Sequence, residues 1–203
     1  MMKIFKEFRS VIVVSVLMYF TTSCGNNNSK IPLKKEQQNF LTIRNLANGF
    51  IEYDIDTLAN FREITKILEE IDCEKNYALF KLETNSKIFK IQPLQSCGDI
   101  FHYKMKEVVY INTDSITVNN DLDYPIDSLN SVLRNHLLNF NGDNNYPSAA
   151  ERKWISINVD DSKKIDDTKI LLLKIIDEIN SIESNVDFGF IFENSGLIEV
   201  VEE

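Results

Sequence analysis

The chain has 203 residues, 43% of them hydrophobic and 26% charged, and these ordinary globular proportions exclude disorder along the whole chain. Its formal net charge of -9 argues against binding to nucleic acids or to anionic lipid surfaces, because both repel an acidic protein. Solubility is the simplest explanation of the acidity, and an acidic surface for a basic protein partner is the alternative.

The start of the chain has the composition of a secretory signal. Lys3, Lys6 and Arg9 form a basic beginning, and residues 11–20 form an apolar run. This run is shorter than the roughly 20 residues that a membrane-spanning helix needs. We therefore expect residues 1–23 to be a signal peptide, and an apolar N-terminus buried in a cytosolic protein is the alternative.

The residues that lead to Cys24 resemble a bacterial lipoprotein processing box. The stretch is Thr-Thr-Ser-Cys at residues 21–24, with threonine in place of the usual leucine-like residue, and this relaxed form is similar to that of Bacteroidota lipoproteins. The resemblance implies that Cys24 is lipidated, that residues 24–32 form a flexible tether, and that the protein is anchored in the cell envelope. In Bacteroidota-like lipoproteins an acidic cluster directly after the cysteine resembles a surface-export signal. The resemblance therefore implies that this chain, which lacks such a cluster after Cys24, stays on the periplasmic side of either membrane. A plain secretory signal followed by a structural cysteine is the alternative.

The two other cysteines, Cys73 and Cys97, form a candidate disulfide. An even pair of cysteines in an exported protein can be oxidised, and such a bond would stabilise the chain by roughly 3 kcal/mol. A buried pair of free thiols is the alternative. Neither cysteine belongs to a C-x-x-C motif, which argues against redox catalysis and zinc binding.

The region 33–105 is expected to contain helices and a small antiparallel sheet. Apolar residues at helical spacing predict a helix over residues 33–51, and a second helix is expected to begin between Asp54 and Thr57 and to end near Asp72. Residues 77–82 and 87–91 alternate around a turn, which predicts a hairpin. A further strand is expected at residues 101–105.

The residue pattern of the region 106–203 predicts an α/β module with the order ββαβαβ. Strands are expected at residues 107–112 and 115–119, a helix after Pro125, a strand at 153–159, a helix capped by Asp166 or Asp167, and a strand at 188–192. A terminal edge strand is expected at 197–201. The predicted fold class is therefore α+β, with the helices of this second region packed on a mixed sheet. The core stripes of its two helices are expected to include Leu129, Val132, Leu133, Leu137 and Phe140 in the first, and Ile170, Leu172, Leu173, Ile176 and Ile179 in the second.

Over residues 108–192 this order of elements resembles the periplasmic domain of the ExbD/TolR family. The matching pieces are the two strands and turn at 109–120, the proline start at 125–129, the strand ending in an acid at 154–160, the helix at 169–179 and the strand at 188–192. The resemblance implies a binding or dimerisation module related to envelope transport components. The family's transmembrane helix with its aspartate has no counterpart in the short apolar run of this chain.

The sequence contains no convincing catalytic or metal-binding pattern. Its histidines are His102 and His136, and no serine lies in a G-x-S-x-G motif. Asp121, Asp123 and Asp127 lack the glycine that an EF-hand loop requires, so we interpret them as solvated loop acids. We therefore expect no enzyme activity, no cofactor and no metal.

The expected function is that of a non-catalytic protein-binding or scaffolding lipoprotein with a protein partner in the cell envelope. A second copy of this chain, which would form a homodimer, is among the expected partners. An envelope immunity or inhibitor lipoprotein that binds a basic toxin or enzyme is the main alternative. A third hypothesis is an unrecognised hydrolase, which would need a deep pocket with convergent carboxylates or His102.

Overall fold

The computed structural model describes residues 35–42, 49–72, 74–95, 103–182 and 186–193. Several sequence predictions lie outside these ranges. They are the signal peptide at 1–23, the tether at 24–32, the lipidation site Cys24, the disulfide candidates Cys73 and Cys97, His102, and the terminal strand at 197–201.

The first sheet contains four strands and one connecting helix. The strands are β1 (Glu36–Leu41), β2 (Gly49–Asp54), β3 (Asn76–Glu83) and β4 (Lys87–Gln92), and the helix α1 (Phe61–Glu70) joins β2 to β3. Their order across the sheet is β1-β4-β3-β2, with β3 and β4 antiparallel and the two outer strands parallel to their neighbours. The predicted hairpin is therefore confirmed as β3 and β4, but the sheet is mixed rather than antiparallel.

The second sheet contains five strands and two helices. In chain order they are β5 (Val108–Ile111), β6 (Ser115–Val118), β7 (Leu122–Pro125), α2 (Leu129–Leu138), β8 (Trp154–Ile157), α3 (Ile165–Ser181) and β9 (Gly189–Phe192). The strand order is β7-β6-β5-β8-β9, in which β8 is parallel to both of its neighbours. The α+β class is confirmed, and the module has the order βββαβαβ, with one strand more than predicted.

The helix predicted over residues 33–51 is wrong, because the described parts of this segment form β1 and β2. Phe40 lies opposite Ile91 in the pairing of β1 with β4, and its ring contacts Phe89 and Phe190 at centroid distances of 6.5 and 5.8 Å. Gln38 and Phe40 are the more buried residues of an alternating strand pattern. Packing against distant strands therefore overrides the helical spacing of the apolar residues.

The second predicted helix exists as α1, but it begins later than expected. The Asn60 side chain accepts a hydrogen bond from the Glu63 backbone N–H at 3.3 Å, and the Glu63 carboxylate accepts one from the Ala59 N–H at 2.7 Å. This reciprocal cap fixes the first turn of α1. Asp54 instead accepts from the Asp56 N–H at 3.1 Å and caps a short 3-10 turn, Ile55–Thr57.

The additional strand, β7, follows a tight turn at Asn119 and Asn120. Both asparagines have positive φ angles, 53° and 56°, as a type I′ hairpin turn requires. Asp123 therefore lies in a strand rather than in a loop, and its carboxylate accepts a 2.6 Å hydrogen bond from the Thr117 hydroxyl. The strand predicted at 101–105 is also wrong in its described part, because Met105–Glu107 is a 3-10 turn.

Both sheets contribute side chains to one core. The ring of Phe192 lies 5.8 Å from that of Phe80 in the first sheet and 6.0 Å from that of Phe61 in α1. The backbone N–H of Leu94, just after β4, donates to the Phe190 carbonyl at 2.7 Å and so connects the first sheet to the edge of the second. The described residues from Lys35 onward accordingly belong to one compact unit.

Two predicted core residues are exposed instead. Phe140 is 78% exposed because α2 ends at Leu138, and Ile170 is 65% exposed because it faces away from the buried side of α3. The other predicted core residues of these helices are buried, except Leu173, which is partly buried. None of the helices in the described part of the chain is long and apolar enough to cross a membrane.

Candidate functional site

A cleft of about 930 Å³ lies where the two sheets and the end of α2 meet. Five separate stretches of the chain form it: the end of β1, Leu94 shortly after β4, the end of α2, the segment before β8 and the segment before β9. Its lining is mainly apolar and includes Leu41, Leu94, Leu137, Leu138, Phe140, Trp154, Val186 and Phe188. Thr42, Glu151, Arg152, Lys153 and Asp187 are the polar and charged side chains of the lining.

One wall of the cleft depends on the close packing of Trp154 against Gly189. The two residues lie opposite each other in the pairing of β8 with β9. A Cβ atom on Gly189 would lie 2.8 Å from Cε3 of the indole, which is too close for any side chain, and in a tight contact of 3.1 Å with Cγ2 of Thr42. Glycine at this position therefore lets the indole lie directly over the backbone of β9.

A second wall is the segment 148–151, which the buried Lys153 holds in place. The ammonium group of Lys153 donates to the backbone carbonyls of Ser148, Ala149 and Glu151 at 3.1, 3.3 and 3.0 Å. Burial lowers the pKa of Lys153, and the carboxylates of Glu151 and Glu107 partly oppose this effect. This lysine therefore satisfies backbone carbonyls and is not directed at solvent.

Glu151 strengthens the same wall. Its carboxylate accepts a hydrogen bond from the Ser148 N–H at 2.7 Å and forms ion pairs with Lys104 and Lys106, each at 2.9 Å. The backbone hydrogen bond from Ser148 is the largest cause of the lowered pKa of Glu151, followed by the two lysines. The carboxylate is thus held ionised by fixed partners.

The rim of the cleft carries Phe140, which follows a tight helix end at Asn139. The backbone of Asn139 is left-handed, with a φ of 36°. Its side-chain nitrogen donates to the carbonyls of Asp143, Tyr146 and Pro147 at 3.0, 3.2 and 3.1 Å. These bonds order the loop after α2 and place the ring of Phe140 in solvent beside the cleft.

His136 lies below the cleft in α2 and is fully buried. Neither ring nitrogen has a hydrogen-bond partner of ordinary geometry, although the backbone of Trp154 is close enough to favour the protonated ring slightly. Burial lowers the pKa of His136 from 6.5 to about 3, and the charge of Lys153 acts in the same direction. The histidine is therefore neutral at physiological pH and forms part of the buried interior next to the cleft.

A second polar cluster lies on the face of the second sheet opposite the core. Tyr110 and Ser156 lie opposite each other in the pairing of β5 with β8, and Tyr103 and Glu193 contact this pair from outside the strands. Burial raises the pKa values of both tyrosines and of Glu193, while the Ser156 hydroxyl partly offsets the effect on Glu193. The hydroxyls of Tyr103 and Tyr110 lie close to each other.

The structure brings together a site that the sequence analysis did not identify. The cleft draws on residues from Leu41 to Gly189, and only contacts between distant segments define it. Trp154 is half-buried and forms a wall of the cleft. Among the described residues, no group of three or more His, Cys, Asp and Glu side chains is arranged to hold a metal ion. The chemistry that the cleft offers is apolar contact together with charged groups at its margin.

Comparisons with protein families, with characterised proteins and with solved structures gave no match for this chain.

Proposed function

We propose that this protein is a lipid-anchored periplasmic lipoprotein that acts as a non-catalytic binding or scaffolding module for another protein of the cell envelope. Lipidation at Cys24 would attach it to the membrane, and the folded unit would contact the partner. The proposed relation of residues 108–192 to the ExbD/TolR periplasmic domain would also imply a role in binding another protein.

The exposed edge of β2 supports this proposal most directly. β2 pairs with β3 on one side, and no strand that the structure describes lies along its other side. In a parallel pair, every second residue directs both its N–H and its C=O away from the partner strand, so β2 presents backbone groups that pair with no strand in the described part of the chain. Phe50 and Ile51 in the same strand are 42% and 39% exposed. Such an edge can accept an extended segment of another protein.

The other edges are less suitable for strand addition. β7 ends in Pro125, which lacks a backbone N–H, and it carries the charged Asp123. β1 begins with Glu36 and two glutamines, so its exposed start is polar. The outer side of β9 already pairs with the chain at Pro93 and Leu94.

Site-specific photo-cross-linking tests the binding role. A photoreactive amino acid would replace Phe50 in the full chain, and a matched chain would carry it at Ile170, which is exposed on a helix away from β2. We expect a protein adduct at position 50, reproduced with the purified partner, and little adduct at position 170. If the cross-linked partner is a second copy of this chain, the protein acts as a homodimer. If the partner is a basic toxin, the protein has the immunity role. Equal labelling at both positions would contradict strand addition at β2.

Metabolic labelling with an alkyne fatty acid tests the anchor. We expect the full chain to take up the label and the Cys24→Ala variant to lose it, because the thiol at Cys24 is the proposed lipid acceptor. An unlabelled protein whose initiator methionine is still present would exclude the lipoprotein interpretation.

A further inference from the structure

We propose that the cleft binds a small hydrophobic carboxylate, with the apolar body of the ligand against Trp154 and the leucines and its acid group paired with Arg152. This proposal does not rest on the proposed function. β2 lies at the opposite edge of the first sheet from β1, whose end borders the cleft. A failure of one proposal would therefore leave the other standing.

The size and lining of the cleft fit a ligand with an apolar body. A volume of about 930 Å³ is close to the upper end of the range of small-molecule sites, which runs to roughly 1,000 Å³. Leu94, Leu137 and Leu138 line it together with Phe188 and the indole of Trp154. Contact with these side chains would remove apolar surface of both ligand and protein from water.

Phe140 at the rim extends the apolar surface beyond the cleft itself. The ring is 78% exposed, which is unusual for a phenylalanine in a protein whose other described phenylalanines are mostly buried. The side-chain bonds of Asn139 hold the backbone beside it. The ring of Phe140 is thus positioned to cover a ligand that projects from the cleft. This contact would lower the exposure of the ring.

The charges around the cleft favour an anion. The two carboxylates of the lining, Glu151 and Asp187, already have partners. Lys153 is occupied by three backbone carbonyls. Arg152 is exposed and has no ion pair or hydrogen bond within the described part of the chain. Its guanidinium is therefore free to pair with an acid group of the ligand, and a carboxylate matches its geometry.

The walls of the cleft are fixed before any ligand arrives. Lys153 and Glu151 tie the segment 148–151 to its surroundings, and the indole of Trp154 packs closely over the backbone of β9 at Gly189. A site that needs little rearrangement loses less conformational entropy on binding. This is the arrangement expected of a binding site rather than of a gap between loops.

Trp154 provides a direct test because it is the single tryptophan of the chain. Dodecanoate would be titrated into the full chain below the concentration at which it forms micelles, and the emission of Trp154 would be recorded. Dodecyltrimethylammonium has the same chain length with a positive charge and tests the charge preference. We expect a saturable blue shift with dodecanoate at one molecule per chain, and at least about tenfold weaker binding of the cation.

Three variants complete the test, and two of them change the charge in the same way. Arg152→Gln should weaken dodecanoate binding about tenfold, because it removes the pairing cation. Arg134→Gln is the control, since Arg134 is exposed on α2 and does not line the cleft. It should leave the affinity unchanged. Phe140→Ser should weaken binding of dodecanoate without changing the preference for the anion. No emission shift, an equal response to the cation, or equal affinities of the two arginine variants would overturn the proposal.

Discussion

Single residues in this protein show how burial decides the behaviour of a polar group. His136 and Lys153 are both buried, but burial affects the two side chains in different ways. Lys153 keeps hydrogen bonds to three carbonyls, whereas the imidazole of His136 stays neutral because charging it inside the core is costly. The first group orders a loop, and the second leads us to expect a core that is sensitive to acid.

The burial of His136 predicts a loss of stability in mild acid. Its pKa is about 3 in the folded chain and near 6.5 when the chain is unfolded, so between these values only the unfolded chain takes up the proton. Stability therefore falls as the pH drops below about 6.5, by up to about 1.4 kcal/mol per pH unit from this group. Urea unfolding at pH 7.5 and pH 4.5 measures the effect.

His136→Leu is the informative variant for this prediction, because it fills the site with an apolar side chain that cannot titrate. Its loss of stability between the two pH values should be clearly smaller than that of the natural chain. Equal losses would show that other groups, such as the ionised carboxylates, account for the acid sensitivity.

At the scale of elements, patterns of neighbouring residues predicted the helices and strands whose contacts are close in the chain. The hairpin of β3 and β4, the helices α2 and α3, and the strands β5, β6, β8 and β9 all lie close to their predicted positions. Their apolar periodicity and capping residues act within a few residues of each other. β1 and β2 were mistaken for a helix because their partners, β4 and β3, come later in the chain and pair with them in parallel.

The strand β7 has a local signal in the sequence, at the turn that precedes it. Two consecutive asparagines, Asn119 and Asn120, tolerate the positive φ angles of a type I′ turn better than most residues do. A strand was therefore to be expected on both sides of them.

This turn gives a prediction about the β6–β7 hairpin. Asn120→Gly should stabilise the protein by about 0.5 to 1 kcal/mol, because glycine adopts a positive φ angle at little cost. Asn120→Ala should destabilise it, since alanine tolerates this conformation poorly. Chemical unfolding of the three chains measures the order of stability. If the glycine and alanine variants were equally stable, the turn would not have the backbone described here.

At the scale of the whole described fold, the two sheets pack on each other through aromatic contacts. Phe192 belongs to the second sheet and touches Phe80 of the first, and Phe190 contacts Phe40 in β1. The sequence divided the chain at residues 105 and 106, and the strands of the two sheets do lie on either side of this point. The core is nevertheless shared, so the aromatic rings of one sheet are buried only when the other sheet is folded as well.

This arrangement predicts that the two sheets unfold together. Phe192→Ala should cost about 3 to 5 kcal/mol, since it leaves a cavity between the sheets. Trp154 emission reports on the second sheet, and far-ultraviolet circular dichroism reports on the whole chain. The transitions followed by the two signals should coincide in the natural chain and in the variant. Two separate transitions in the natural chain would mean that the sheets fold independently.

The amino-acid sequence by itself determined the α+β class, most helices and strands of the second region, and the hairpin of the first, because side-chain periodicity and capping act over short distances. The tertiary structure decided that residues near Phe40 and Phe50 are strands, that the two sheets share one core, and that five distant segments form a cleft. These features depend on contacts between residues far apart in the chain, and such contacts leave no regular pattern in a single sequence.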